Sequence, residues 1–273
     1  MNMFETPEDR SYLVTVEDGV LTLTFNRPEA GNAIDHARVP DLTQMLRDAK
    51  ASDQVRCLLV RGEGRNLAAG GDIARFARTL EMDVAGRQAD FTRSMTNLRI
   101  MAEAFLAFDG PVVTAMRGAA AGAGLLYPLG ADYVVADHSA IFLFVHQNMG
   151  LCPDNGVSAL LPQLVGPRMA RRLMMTTARV KAEEALALGL VDKVVSAEEL
   201  DAEALAQAKR FAGAPQVAVK LMKKLVNESS SRPLLEQLKA EADGIVACVG
   251  DEDFREGVRA FQEKRPPKFP SSR

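Results

Sequence analysis

Val112-Val113-Thr114-Ala115-Met116-Arg117-Gly118-Ala119-Ala120-Ala121-Gly122-Ala123-Gly124 sets a short β-favouring run directly against seven glycines and alanines. The first five residues read as a buried strand. The small residues that follow leave no side chains to keep another backbone or a ligand away, and a helix over Ala123–Ala131 is predicted to open there. A helix start has unpaired amides and the positive end of the macrodipole, which suits an oxygen gaining negative charge. Close packing of a helix on a strand would need the same residues, so this stretch alone leaves both readings open. The spacing is not GxGxxG, which excludes a dinucleotide loop. Pro128 falls inside the predicted helix, where proline costs ~3 kcal/mol outside the first turn. The expectation is a kink or a late start.

Outward from this stretch the chain alternates strands and helices, the mark of an α/β fold. Leu13–Val16 and Val20–Phe25 flank Glu17-Asp18-Gly19 as a hairpin. Leu42, Met45, Leu46 and Ala49 repeat at helical spacing, Cys57–Val60 is a buried strand, and Arg61–Gly71 is a long glycine-rich loop. Phe91, Met95, Leu98, Ala102 and Phe105 mark a longer helix that ends at Asp109-Gly110-Pro111. Tyr133–Ala136, Ile141–Val145 and Val191–Val195 are further strands. Beyond them the pattern is helical, over Glu199–Phe211, Gln216–Asn227, Pro233–Val246 and Phe254–Lys264. This divides the chain into a core over residues 1–195 and a helical C-terminal module over 196–273. The tail Arg265–Arg273, rich in proline and serine, is expected to be loose.

Composition removes several function classes. The 273 residues are 47% hydrophobic and 25% charged, ordinary for a globular protein. A net charge of −3 and a pI near 5.8 argue against a broad nucleic-acid or anionic-membrane surface. Trp is absent and aromatics make up 5% of the chain, which argues against a stacking platform for bases. Cys57, Cys152 and Cys248 form no metal pattern and read as reduced, packed thiols of a cytoplasmic protein. Residues 1–10 carry Glu5, Glu8 and Asp9 without an apolar core, unlike a signal peptide. No uncharged apolar run reaches the ~18–20 residues of a membrane span.

Two further stretches bear chemistry. Leu67-Ala68-Ala69-Gly70-Gly71-Asp72-Ile73 is a second small-residue loop whose backbone amides could face a ligand, or merely a tight turn. Met149-Gly150-Leu151-Cys152-Pro153-Asp154-Asn155-Gly156 places one acid in a turn before the apolar helix Val157–Leu164. Asp154 could simply cap that helix. Burial among its apolar neighbours would instead raise its pKa toward a useful range.

In this order and spacing the three stretches resemble the crotonase, or enoyl-CoA hydratase/isomerase, superfamily over nearly the whole chain. Asn26-Arg27-Pro28-Glu29-Ala30-Gly31-Asn32-Ala33-Ile34 looks like its N-R-P-x-x-x-N-A-[LI] motif. Ala68–Ile73 resembles A-A-G-x-D-[IL], Gly118–Gly124 with Asp132 resembles G-x-A-x-G-x-G…D, and Phe261–Arg265 resembles F-x-E-K-R. The resemblance implies a spiral of ββα units with a helical C-terminal trimerisation or lid module. It implies a homotrimer or dimer of trimers, and an acyl-CoA substrate with no prosthetic group and no metal. It also implies an oxyanion hole from the amides of Gly71 and Ala123. Coenzyme A contacts are implied at Arg27, Ala68, Ala69, Gly70, Asp72, Ile73, Lys264 and Arg265.

The hydratases of this superfamily use two glutamates, one for water and one for the α-carbon proton. The matching positions here are Leu126 and His146, so ordinary hydration is disfavoured. Gly150–Gly156 with Leu160-Leu161-Pro162 resembles one-base isomerases, of the Δ3,Δ2-enoyl-CoA and ring-1,2-epoxyphenylacetyl-CoA types. That resemblance implies Asp154 as the proton shuttle, with His146 lining the pocket or assisting. Thioester hydrolysis ranks second, beside a divergent hydratase, and a silent acyl-CoA-binding protein is the non-enzymatic alternative. Phe91, Met95, Leu98, Phe142, Phe144 and Met149 are candidate acyl-pocket residues. His36 and His138, in turn-like segments, are expected at the surface.

Overall fold

The computed structural model describes residue 4 and residues 6–272. Strands β1 (Tyr12–Glu17) and β2 (Val20–Phe25) form the expected hairpin. Asp18 and Gly19 both adopt left-handed backbone, at φ 52° and 78°, as a two-residue turn of this hand requires. Helix α1 (Val39–Ala51) buries the predicted stripe and leads to β3 (Cys57–Gly62). Helices α2 (Ile73–Thr79) and α3 (Val84–Leu106) precede β4 (Val112–Met116).

The decisive stretch then differs from expectation. Ala119–Ala121 is a strand, β5, not a loop. Alanine is a poor strand former, but Ala120 lies edge to edge with Ala68, where larger side chains would not fit. A 3-10 turn over Gly122–Leu125 delays helix α4 to Leu126–Leu129. Pro128 therefore falls in its first turn, where its missing amide is not needed.

Next come β6 (Tyr133–Asp137) and β7 (Ile141–Leu143), the latter shorter than expected. They lead to α5 (Val157–Met175), which breaks at Gly166 between Pro162 and Pro167. Strand β8 (Arg179–Lys181), α6 (Ala182–Ala187) and β9 (Lys193–Val195) complete the sheets. One sheet has the order β1-β2-β3-β4-β6-β9, and the second β5-β7-β8. The pairs β4/β5 and β6/β7 give one strand to each sheet before a helix, so the chain winds as ββα units.

Helix α7 (Leu200–Ala212) turns Leu200, Ala204, Ala208 and Ala212 onto Cys57, Leu59, Val113, Ala115 and Val135 of the large sheet. The packed core thus runs to Ala212, past the boundary expected at residue 195. Helices α8 (Gln216–Ser229), α9 (Leu234–Val249) and α10 (Glu252–Gln262) follow. Lys223 ties α8 to the core through the Gly110 carbonyl (2.9 Å) and the Asp132 carboxylate (2.7 Å). The tail is not loose through residue 272. Ser271 accepts from the Gln216 amide, and its own amide donates to Asp253, both at 3.1 Å. Residue 273 lies outside the described residues. Among the described residues no helix is long and apolar enough to cross a membrane.

Candidate active site

The first wall is built by the loop after β3. Ala68 donates to Ala119 (3.1 Å) and accepts from Ala121 (3.0 Å), pinning the loop to β5. Gly70 accepts from Ile34 at 2.8 Å and takes φ 82°, a left-handed turn that exposes the next amide. Asp72 then caps α2 by accepting from the Arg75 amide at 3.1 Å. The second wall is the 3-10 turn that begins at Gly122. Among the described residues, neither the Gly71 nor the Ala123 amide donates to an acceptor. Ala123 is buried and Gly71 half-buried, and amides without a partner at such a place are available to an oxygen arriving from outside.

The acid comes from the turn before α5. His146–Met149 form a 3-10 turn closed by Gly150 at φ 65°, and Leu151 donates back to the His146 carbonyl at 3.0 Å. Gly156, not Asp154, is the N-cap of α5, and Asp154 contributes only its backbone carbonyl to that end. The carboxylate is therefore not consumed by capping. Its Oδ1 lies 3.4 Å from His146 Nε2. The Asp154 side chain keeps 30% of its exposure and that of His146 10%, so burial of the acid is only partial. Asn155 reaches across to the Ala123 carbonyl at 3.5 Å, joining this turn to the second wall.

These pieces enclose a chamber of about 80 Å³ lined by Gly71, Ala123, His146 and Asp154 together. Ala69 and Ile73 also line it, and Phe76, Met95 and Leu98 form its apolar side. Past Phe76, Met149 and Leu151 it adjoins an outer groove of about 360 Å³ that includes Phe91. Asp154 is the only carboxylate among the described residues lining the chamber.

Other expected residues are placed differently. Ala68 is buried behind the chamber. Arg27 donates to the Ala33 carbonyl (3.2 Å) and pairs with Asp72 at 3.8 Å, so it braces the two loops against each other. Buried Asn32 completes that brace, accepting from the Arg27 amide and donating to the carbonyls of Glu63 and Asn66. Lys264 and Arg265 do not line the chamber. Arg265 is gripped by Glu256 through two bonds of 2.6 and 2.9 Å and also by Glu263, which raises its pKa further. Phe142 and Phe144 are fully buried in the core instead of lining the acyl pocket. Cys152 is exposed, not packed. His138 lies at the surface beside Glu183. His36, expected there too, lines the chamber. Its nearness to the Asn32-Ala33-Ile34 motif was the one cue, because the Ile34–Gly70 bond carries this segment to the first wall.

Residues 15–272 match the family model described as Enoyl-CoA hydratase/isomerase. The chain belongs to the enoyl-CoA hydratase/isomerase family. It is 34% identical to the 1,2-epoxyphenylacetyl-CoA isomerase of Escherichia coli (strain K12), over 93% of this chain and 96% of that one. It is 32% identical to the trans-2-decenoyl-[acyl-carrier-protein] isomerase of Streptococcus mutans, over 95% and 98%. A crystal structure of an enoyl-CoA hydratase from Polaromonas sp. JS666 superposes with a TM-score of 0.86 at 32% identity, covering 94% of this chain and 98% of that one. The fold is thus the crotonase fold, and the enzyme class is that of the family. Leu126 and His146, which the sequence resemblance sets against the hydratase glutamates, are a fully buried aliphatic side chain and a mostly buried imidazole.

Proposed function

We propose that this family member is an acyl-CoA enoyl isomerase in which Asp154 shuttles one proton along the acyl chain. The observation that carries this reading is a lone carboxylate sharing a chamber with two partnerless amides. Hydration needs a second group to manage water, and no second carboxylate is at hand among the described lining residues. Isomerisation needs only one. The thioester oxygen of a 3-enoyl-CoA accepts from Gly71 and Ala123, and Asp154 removes a proton from C2. The C2–H electron pair forms a dienolate whose negative charge the amides stabilise. Asp154 returns the proton to C4, leaving the double bond between C2 and C3. Coenzyme A enters as part of the substrate, with no prosthetic group, and Ala69 and Ile73, which line the chamber, are its proposed contacts on the first wall. The two isomerase names among the relatives support this choice.

Incubation with a 3-enoyl-CoA, followed by the absorbance of the conjugated 2-enoyl thioester, tests it. A rise without release of free thiol is expected. Thiol release would favour hydrolysis, a second reading suggested by the Asp154–His146 contact, which could orient water. If His146 only lines the chamber and steadies the acid, His146→Asn lowers kcat by about tenfold or less. That is below the ~10²–10⁴-fold of a residue that transfers the proton. A loss as deep as that of the Asp154 variant would make His146 a proton carrier.

The proposed assembly is a homotrimer or dimer of trimers. Leu234, Leu235, Ile245 and Val246 on α9 are exposed, and Phe261 on α10 keeps 86% of its surface. Exposed apolar side chains on these two helices support an association face there. Light scattering should return three or six times the 29.6 kDa chain mass, and Leu235→Glu should lower it. A monomeric native mass would remove this part of the reading.

A further inference from the structure

Four buried side-chain atoms lack a hydrogen-bond partner among the described residues: Ser11 Oγ, His36 Nδ1, Arg75 Nη1 and Gln216 Oε1. Buried polar atoms without partners are rare enough that each needs a physical reason. Two of the four, on His36 and Arg75, belong to the segments that build the Gly71 wall of the chamber. His36 lines the chamber itself. The Ile34–Gly70 hydrogen bond fixes its segment beside the first oxyanion amide. The Asn155–Ala123 contact fixes Asp154 and His146 to the other wall. His36 therefore stands on the side of the chamber that the proposed proton shuttle does not use.

Among the described residues, no hydrogen-bond partner reaches His36 Nδ1. Arg75 Nη2 is committed elsewhere, to Asp90 and Ser94, and the guanidinium lies 5.4 Å over Phe91, while Nη1 is itself one of the four unpartnered atoms. Ile34, Ile73 and Phe76, which also line the chamber, offer no polar side-chain atom. Burial, and then the charge of Arg75, hold the His36 pKa below its ordinary 6.5, against weaker opposite pulls from Asp35, Asp72 and Asp90. The imidazole is thus neutral at pH 7, with one nitrogen donating and the other accepting. A half-turn of the ring about its Cβ–Cγ bond exchanges the positions of Nδ1 and Cδ2, so the nitrogen can be offered to the chamber.

We propose that His36 is a specificity-determining residue that hydrogen-bonds an uncharged oxygen carried by the acyl group, such as a hydroxyl, keto or ring oxygen. This rests on the acyl-CoA reading of the chamber and narrows its substrate class. A plain hydrocarbon chain leaves the imidazole unpaired, whereas an oxygenated chain satisfies it. A site that pairs a substrate oxygen discriminates against the analogue without it more strongly than an apolar pocket can. An acyl carboxylate is a poor fit, because the ring carries no charge to receive it.

Calorimetric binding of butanoyl-CoA, 3-hydroxybutanoyl-CoA and 4-hydroxybutanoyl-CoA to the intact protein tests this without requiring isomerase turnover. The wild-type protein should bind at least one hydroxylated thioester about tenfold or more tighter than butanoyl-CoA. His36→Phe should erase that preference, and His36→Gln should keep part of it. Equal binding of all three by the wild-type protein, or a preference that survives in His36→Phe, overturns the proposal. If none of the three binds, the acyl-CoA reading falls with it. Thermal unfolding gives a second readout. A histidine with a lowered folded pKa adds stability above pH 6.5, lost as pH falls through the folded value. Between pH 7 and 5 the wild-type melting temperature should fall more than that of His36→Phe. Equal slopes would remove the neutral imidazole that the proposal needs.

Discussion

Asp154→Asn should lower kcat for double-bond migration by about 10²–10⁴-fold, the usual contribution of a positioned acid or base, while KM changes little. The amide occupies nearly the same volume as the carboxylate and can still approach His146 Nε2, now 3.4 Å from Oδ1. The walls of the chamber should therefore keep their form. What is lost is the only carboxylate among the described lining residues. Binding should survive because the oxyanion amides belong to other segments. Steady-state kinetics on a 3-enoyl-CoA check this. Activity retained within tenfold would mean that Asp154 does not carry the proton.

Gly70→Ala should be the most damaging single methyl group in the site. The residue sits at φ 82°, which L side chains rarely adopt. An added Cβ would collide with the Ala121 carbonyl oxygen and come within 3.4 Å of the Ala123 nitrogen. Relief requires the loop to withdraw from β5, moving the Gly71 amide, the Ala123 amide or both. Loss of one oxyanion donor costs ~10²–10³ in kcat, and we expect at least that fall. We also expect roughly 2 kcal/mol of lost stability, because a strained backbone conformation is added to the collision. Circular dichroism at a temperature where the variant remains folded separates the two effects. Wild-type kcat in a folded variant would show that this loop does not set the oxyanion geometry.

What was legible in the sequence follows from how locally each feature is encoded. The stripe of α1 and the apolar runs of β3 and β4 extend over a whole element, so neighbouring residues reinforce the same reading. Gly70, Gly71, Gly122 and Asp154 were also legible, because tight turns and close backbone approach demand particular residue types wherever they occur. Strand β5 was not, since three alanines carry no strand signal and become a strand only by pairing with β7 and bridging Ala68. Helix α2 is seven residues long and offers too few turns for a period to show. Phe142 was identified as apolar but assigned to the wrong space, because sheet register decides which side a side chain faces, and Phe144 lies just past the strand, its amide donating to the Ala178 carbonyl. His36 left little trace, since its place in the chamber is set by the bond from Ile34 to Gly70, 36 positions further along the chain. The grip of Glu256 on Arg265 was likewise invisible to the F-x-E-K-R motif, which ends at Arg265 and begins after Glu256.

A substrate deuterated at C2 provides the most direct measurement of the one-base shuttle. In ordinary water, a single carboxylate that moves the label from C2 to C4 should leave deuterium at C4 in part of the 2-enoyl product, with exchange at the partly exposed acid accounting for the remainder. A product whose C4 carries only solvent hydrogen, formed at an undiminished rate, would contradict delivery of the same proton by Asp154.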